Sequence, residues 1–254
     1  MGFISLSVHE HVGTTTIDRP EKRNAMTYAM LTELGQAFAE ASGDDAVRAV
    51  VVTGVPGAFC AGTDLSDLDA TPPEERSRGG LGTSSFQDCP KPVIAAVDGP
   101  AVGMGAEFTS LCDVRVASDQ ARFGWVFVHR GLVADTGAGT WILPRLVGPQ
   151  AAARLLFAGD IIDAGEAQRI GFVHEVVTSG DVVGRAQELA ATFTVGSPFA
   201  IRETKRLLYA GLGRDFGAHV ADNRAVLERC FASEDHREGV TAFLERRPPA
   251  FTGR

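Results

Sequence analysis

The sequence predicts an α/β protein whose C-terminal part is helical. Two continuous apolar runs, Val50-Val51-Val52 and Val93-Ile94-Ala95-Ala96-Val97, read as strands buried on both faces, the pattern of parallel strands covered by helices. Strand, turn and helix patterns alternate to about residue 180, and only helical periodicity follows. The length of 254 residues allows one to two domains and a large core. The expected division is a core over residues 1–195 and a helical region over residues 196–254.

The elements follow in order. Phe3–Val8 and Val12–Asp18 alternate or are β-branched, with His9–His11 as the turn between them. Arg19-Pro20-Glu21-Lys22-Arg23-Asn24 is a polar loop. Thr27 caps a helix from Tyr28 to about Ala41, because Leu31, Leu34, Phe38 and Ala41 recur at helical spacing. Val47–Thr53 is a strand, followed by a Gly/Pro-bearing loop over 54–62. Residues 69–89, rich in Gly, Pro and Ser/Thr, read as a mobile surface segment that shapes a pocket. Pro92–Val97 is a strand, Gly105–Leu111 opens as a short helix, and Val114–Ala117 is a further strand. A glycine-spaced loop (Gly131, Gly137, Gly139) leads into a helix over Trp141–Leu146. Ala151–Phe157 and Ala164–Ile170 are helical and Phe172–Val177 is a strand. Helices are expected at 181–194, 198–209, 216–231 and 234–244, and Pro248-Pro249 stops the last one.

Composition excludes several function classes. The net charge of −8 offers a phosphate backbone no counterion release, so nucleic acid is not an expected partner. No apolar run approaches the ~18–20 residues of a membrane span, and no secretory leader is visible at the N-terminus. Cys60, Cys89, Cys112 and Cys230 lie far apart without zinc spacing, which reads as reduced thiols in a cytoplasmic protein. The histidines show no ligand spacing, so no metal is expected.

Three segments could carry chemistry. Gly99-Pro100-Ala101-Val102-Gly103-Met104-Gly105-Ala106-Glu107 follows a strand and opens a helix, where backbone N–H groups converge on a ligand oxygen. A tight strand–helix turn explains the same glycines. A dinucleotide site does not fit, since the spacing is GxxxGxG and the helix is too short for a βαβ crossover. Gly57-Ala58-Phe59-Cys60-Ala61-Gly62-Thr63-Asp64-Leu65 also follows a buried strand. The two exits could each lend one N–H to a shared oxyanion. The third segment runs from Phe123 to Gly137 and places Asp135 in an apolar, glycine-rich loop, as a base or as a helix cap beside Thr136.

In combination these segments resemble the crotonase family, the enoyl-CoA hydratase/isomerase superfamily. The resemblance starts at Arg19-Pro20-Glu21-Lys22-Arg23-Asn24-Ala25-Met26 and runs through Ala58–Leu65, Lys91–Gly99, Leu111–Ser118 and Trp141–Gly148. It implies a ββα-spiral core with a C-terminal helical trimerisation region, assembled as a homotrimer or a dimer of trimers. It implies an acyl-CoA thioester substrate, no metal, and no cofactor beyond the coenzyme A carried by the substrate. The thioester oxygen would be held by the backbone N–H groups of Thr63 and Met104, flanked by Gly62 and Gly103. Ala61 would accept from the adenine, and Arg23, Ala25, Asp64 and Leu65 would line the CoA path. Lys205, in the slightly basic C-terminal region, is a candidate for CoA phosphate.

The carboxylates bear on the reaction. Glu107 matches the first of the two glutamates of the hydratases, whereas the second position falls on Phe127, which cannot titrate. Asp135, in a Gly-Leu-Val-x-Asp loop, is similar to the branch that includes phenylacetate-pathway isomerases and some enoyl-CoA isomerases. Glu107 and Asp135 are therefore the candidate catalytic pair. The expected activity is hydration of an enoyl-CoA, with a double-bond isomerase using Asp135 or a weakly catalytic acyl-CoA binder as alternatives.

Overall fold

Strands β1 (Ile4–His9) and β2 (Val12–Ile17) form an antiparallel hairpin. Its turn residues Glu10 and His11 both take positive φ, 45° and 69°, as a two-residue hairpin turn requires. Strands β3 (Ala49–Gly54), β4 (Val93–Val97), β6 (Val114–Ser118) and β9 (Glu175–Val177) then add in parallel, giving the order β1-β2-β3-β4-β6-β9. A second sheet of three short strands has the order β5-β7-β8, from Pro100–Val102, Arg122–Gly124 and Ile161–Asp163. The computed structural model describes residues 2–72, 81–134 and 136–254, with the side chains of 81–84 also outside the description.

Alternation sorts the central strands onto two cores. Val50, Val52, Val93, Ala95 and Val97 join the larger core. Val51, Ala49, Ile94 and Ala96 face the other way, onto Val182, Ala186 and Ala190. That is why these strands are apolar at every position. Helix α1 (Tyr28–Gly43) covers the larger core through Met30, Leu31, Leu34, Ala37, Phe38 and Ala41, and Thr27 caps it by accepting from Met30 N–H at 3.2 Å.

One helix stands within the segment expected to be irregular over 69–89, and another ends at its start. Helix α2 (Leu65–Ala70) is started by Asp64, whose carboxylate accepts from Ser66 and Asp67 N–H. Helix α3 (Leu81–Asp88) carries Phe86, fully buried between Phe38 and Phe108 with ring centroids 4.5 and 5.2 Å away. Burying a side chain of that size stabilises by about 1.5–3 kcal/mol. That contact outweighs the poor helix propensity of the glycine and Ser/Thr residues around it. Residues 73–80 of the expected mobile segment lie outside the described residues.

Helix α4 (Met104–Leu111) is buried along its whole length. The single helix expected over Trp141–Leu146 is instead two short ones, α5 (Ala138–Trp141) and α6 (Leu143–Val147). Pro144 lacks the N–H that one continuous helix would need there. Helices α7 (Pro149–Ala158) and α8 (Ala164–Arg169) complete the core. Helices α9 (Val182–Thr194), α10 (Pro198–Gly211), α11 (Phe216–Ala232) and α12 (Glu234–Glu245) follow the expected helical C-terminal pattern closely. Among the described residues no helix is long and apolar enough to cross a membrane.

Candidate active site

The loop Arg19–Met26 forms one wall. Asn24 is fully buried with φ 59°, and its Nδ2 donates to Ala58 O at 2.7 Å. Arg23 O then accepts from Ala61 N–H, Met26 N–H donates to Gly62 O, and Asp64 N–H donates to Met26 O. These bonds stitch Arg23 and Met26 to Ala61, Gly62 and Asp64. Thr63 N–H lies between the two bonds to Met26 and points to the opposite side of this short bridge.

The second wall is the exit of β5. Phe59 and Cys60 N–H both donate to Pro100 O, and Val102 N–H donates to Cys60 O. Gly105 makes this approach possible, because a Cβ there would stand 2.1 Å from Cys60 O. Gly103 N–H is anchored on Gly124 O at 2.8 Å, and α4 starts at the next residue. Met104 N–H is one of the helix's N-terminal orphans, at the positive end of its dipole. The two walls meet at Gly62, where a Cβ would lie 3.0 Å from Val102 O and 3.8 Å from Met104 N. Thr63 Oγ1 lies 4.0 Å from Met104 Sδ. Neither Thr63 N–H nor Met104 N–H meets an acceptor among the described residues.

Glu107 follows on the first turn of α4, fully buried. Its Oε2 accepts from Thr136 Oγ1 at 2.5 Å. Its Oε1 stands over Gly139, where a Cβ would be 2.6 Å away. Phe127 is 8% exposed, on the 3₁₀ turn Val126–Arg130, and belongs to the larger core. Its position therefore presents a hydrocarbon wall and not a carboxylate. Asp135, the other candidate of the catalytic pair, lies outside the described residues.

The remaining candidates divide. Arg23 and Leu65 are solvent-exposed, Ala25 and Ala61 are half-buried, and all four border the stitched loop. Asp64 is engaged within the protein. The Arg19 guanidinium, 2.8 Å from Oδ2, holds its carboxyl below the usual carboxylate range, and the cap bonds from Ser66 and Asp67 add to this. Lys205 departs from its expected role at a phosphate. Its ammonium is buried, 2.7 Å from Asp113 Oδ2 and 2.9 Å from Lys91 O, and Asp113 also accepts from Tyr209 O–H. The charge is neutralised inside the chain.

Burial pushes the Cys60 thiol up to about 12, so it is neither a nucleophile nor a soft ligand at neutral pH. His129 is a surface residue bonded through Nε2 to Ala158 O. Among the described residues no three His, Cys, Asp or Glu side chains gather in a way that could hold a metal ion. Beside Thr136 opens a cavity of 390 Å³, lined by Phe86, Leu111, Ala138, Trp141, Ile142 and Tyr209 among others.

A family model described as enoyl-CoA hydratase/isomerase matches residues 7–254. The chain is 37% identical to the short-chain-enoyl-CoA hydratase of Clostridium acetobutylicum over 241 residues, covering 93% of this chain and 92% of the relative. It is 33% identical to the 1,2-epoxyphenylacetyl-CoA isomerase of Escherichia coli, covering both chains in full. The crystal structure of an enoyl-CoA hydratase from Bacillus anthracis superposes with a TM-score of 0.94 at 30% identity, covering 99% of this chain and 100% of that one.

Proposed function

Because the chain belongs to the enoyl-CoA hydratase/isomerase family, we propose that it moves a proton at the carbons beside the carbonyl of an enoyl-CoA thioester, and that the net reaction is hydration of the 2,3 double bond. The observation that carries this reading is the buried Glu107 carboxyl one helical turn beyond Met104, whose N–H, like that of neighbouring Thr63, meets no acceptor among the described residues. Thr63 and Met104 N–H take the thioester oxygen. Charge builds on that oxygen when water adds at C3, and a helix N-terminus offers its partial positive charge to it. Glu107 accepts the water proton as the oxygen bonds to C3. The electron pair passes to the thioester oxygen, and Glu107 returns the proton to C2 as the enolate collapses. One carboxylate suffices, because the proton it takes from water is the one it returns to C2.

A second reading is favoured by Phe127. With hydrocarbon where a second carboxylate would activate water, proton removal from C2 of a 3-enoyl thioester and its return at C4 needs only one base. Glu107 serves this reaction, or Asp135 does. Arg23, Ala25, Ala61 and Leu65 border the path proposed for the CoA moiety. Self-association as a homotrimer or a dimer of trimers is part of the same proposal.

Ultraviolet absorbance of the conjugated enoyl thioester tests both readings, starting once from crotonyl-CoA and once from a 3-enoyl-CoA. Loss of absorbance from crotonyl-CoA, reduced ~10²–10⁴-fold by Glu107→Gln, is the expected result. Gain of absorbance from the 3-enoyl-CoA alone, lost in Glu107→Gln or Asp135→Asn, would replace hydration with isomerisation. Full activity of Glu107→Gln on both substrates would remove Glu107 from the mechanism.

A further inference from the structure

Thr136 reads from sequence as nothing more than a helix cap, and it does accept from Ala138 N–H at 3.1 Å. Ser, Asp or Asn would serve that purpose equally well. The hydroxyl, however, also makes the 2.5 Å bond to Glu107 Oε2. A hydroxyl has one proton and two lone pairs. With Ala138 N–H directed at its oxygen, the single proton is what Thr136 offers the carboxylate. An Asp or Asn cap would place an acceptor or a longer amide there instead.

The two carboxyl oxygens consequently sit in different surroundings. Oε2 is held by a protein donor. Oε1 overhangs the bare Cα of Gly139, where a Cβ would stand 2.6 Å from it. Trp125 borders the same point, with Cδ1 3.1 Å from where a Gly139 Cβ would lie. Its fully buried indole N–H has no acceptor among the described residues.

We propose that Thr136 is a positioning residue for Glu107. Its hydroxyl pins Oε2 and fixes the plane of the carboxyl that exchanges a proton with water or substrate. This inference rests on Glu107 carrying the proton. The pinning bond is an O–H to carboxylate bond, among the stronger hydrogen bonds a protein makes. It matters because misplacing a reacting group by about 1 Å costs up to ~10²-fold in rate. Thr136 acts through Glu107 and not through the substrate, so its loss should appear in kcat and not in KM.

The test compares Thr136→Val, which keeps the shape and loses the hydroxyl, with Thr136→Ser, which restores it. Both are assayed beside Glu107→Gln on whichever of the two enoyl-CoA substrates the wild type turns over. The expected result for Thr136→Val is a kcat lowered ~10–100-fold with KM within about twofold, and for Thr136→Ser a recovery to within about threefold of wild type. Thr136→Ala carries the same expectation and replaces the valine variant if that does not fold. Thermal melting and binding of a saturated acyl-CoA establish that each variant is folded. Three outcomes overturn the proposal: an unchanged kcat in both Val and Ala variants, a loss confined to KM, or a serine variant no better than valine. Activity retained by Glu107→Gln fails the reading of Glu107 itself, a result separate from any of these three.

Discussion

Around a single buried carboxylate, clearance matters as much as contact. Gly139 lies within helix α5, where alanine would favour the helix by about 0.5–1 kcal/mol. Its methyl group would nevertheless stand 2.6 Å from Glu107 Oε1 and 2.9 Å from Ala134 Cβ. Room for the methyl group comes only from displacing one of these neighbours, and any shift of the carboxyl disturbs its bond to Thr136. We expect Gly139→Ala to lower kcat/KM ~10²-fold while the melting temperature changes by only about a few degrees. An unchanged kcat/KM would show that Oε1 needs no such clearance. Glu107, Thr63 and Met104 stand out in sequence as candidates because they sit in contiguous motifs at two strand exits. Thr136 does not, because its partner lies 29 residues away and its local role as a cap already accounts for it. Lys205 misleads for the same reason. A lone cation in a helix carries no sign that Asp113, 92 residues earlier, will neutralise it.

Between residues and the whole fold, the wall proposed to flank the CoA moiety depends on a brace between elements. Arg19 Nη1 bonds both Ala25 O and Asp64 Oδ2, joining the Arg19–Met26 loop to the start of α2, and both side chains are largely buried, at 14% and 10% exposed. Arg19 lowers the Asp64 pKa. The stabilisation is therefore present above the unfolded carboxylate value of about 3.9 and is lost as pH falls through the lower folded value. Arg19→Gln should lower the melting temperature by about a few degrees at pH 7. The difference from wild type should shrink below about pH 4, as Asp64 protonates in the variant and then in the wild type. A difference that stays constant from pH 7 to pH 3 would show that the ion pair is not what Arg19 contributes. Helix α3 illustrates the limit of composition at this scale. Its glycine, threonine and serines argue for irregular chain, and the packing of Phe86 between Phe38 and Phe108 decides otherwise.

Across the whole molecule, the C-terminal helices leave large apolar side chains in water. Phe216 is 82% exposed, Phe243 81% and Leu244 74%, and Phe157 on α7 is 80% exposed. Side chains of this kind left to solvent in number mark interaction surfaces. They support the proposed self-association, whose expected readout by light scattering is three or six times the 26.8 kDa of one chain. Phe216→Glu with Phe243→Glu should shift that mass downward. A wild-type chain that scatters as a single 26.8 kDa species at micromolar concentration would overturn the association.

The sequence by itself determined what depends on neighbours along the chain. Val50–Val52 and Val93–Val97 had to be doubly buried strands, because no polar position interrupts them. Thr27 and the 3.6-residue spacing behind it set α1. The order of strand-exit motifs identified the family resemblance, and Phe127 already showed that a second glutamate is missing from its place. Tertiary structure decided what depends on distant pairs. The three-residue strands β5, β7 and β8 are too short to show a period, and exist because Ala101, Phe123 and Ile162 find one another across the chain. The carboxyl of Glu107 is bonded by Thr136 and lies over Gly139, and the charge of Lys205 is cancelled by Asp113. Local propensity is written into adjacent residues, whereas the environment of a buried charge is assembled from segments that only folding brings together.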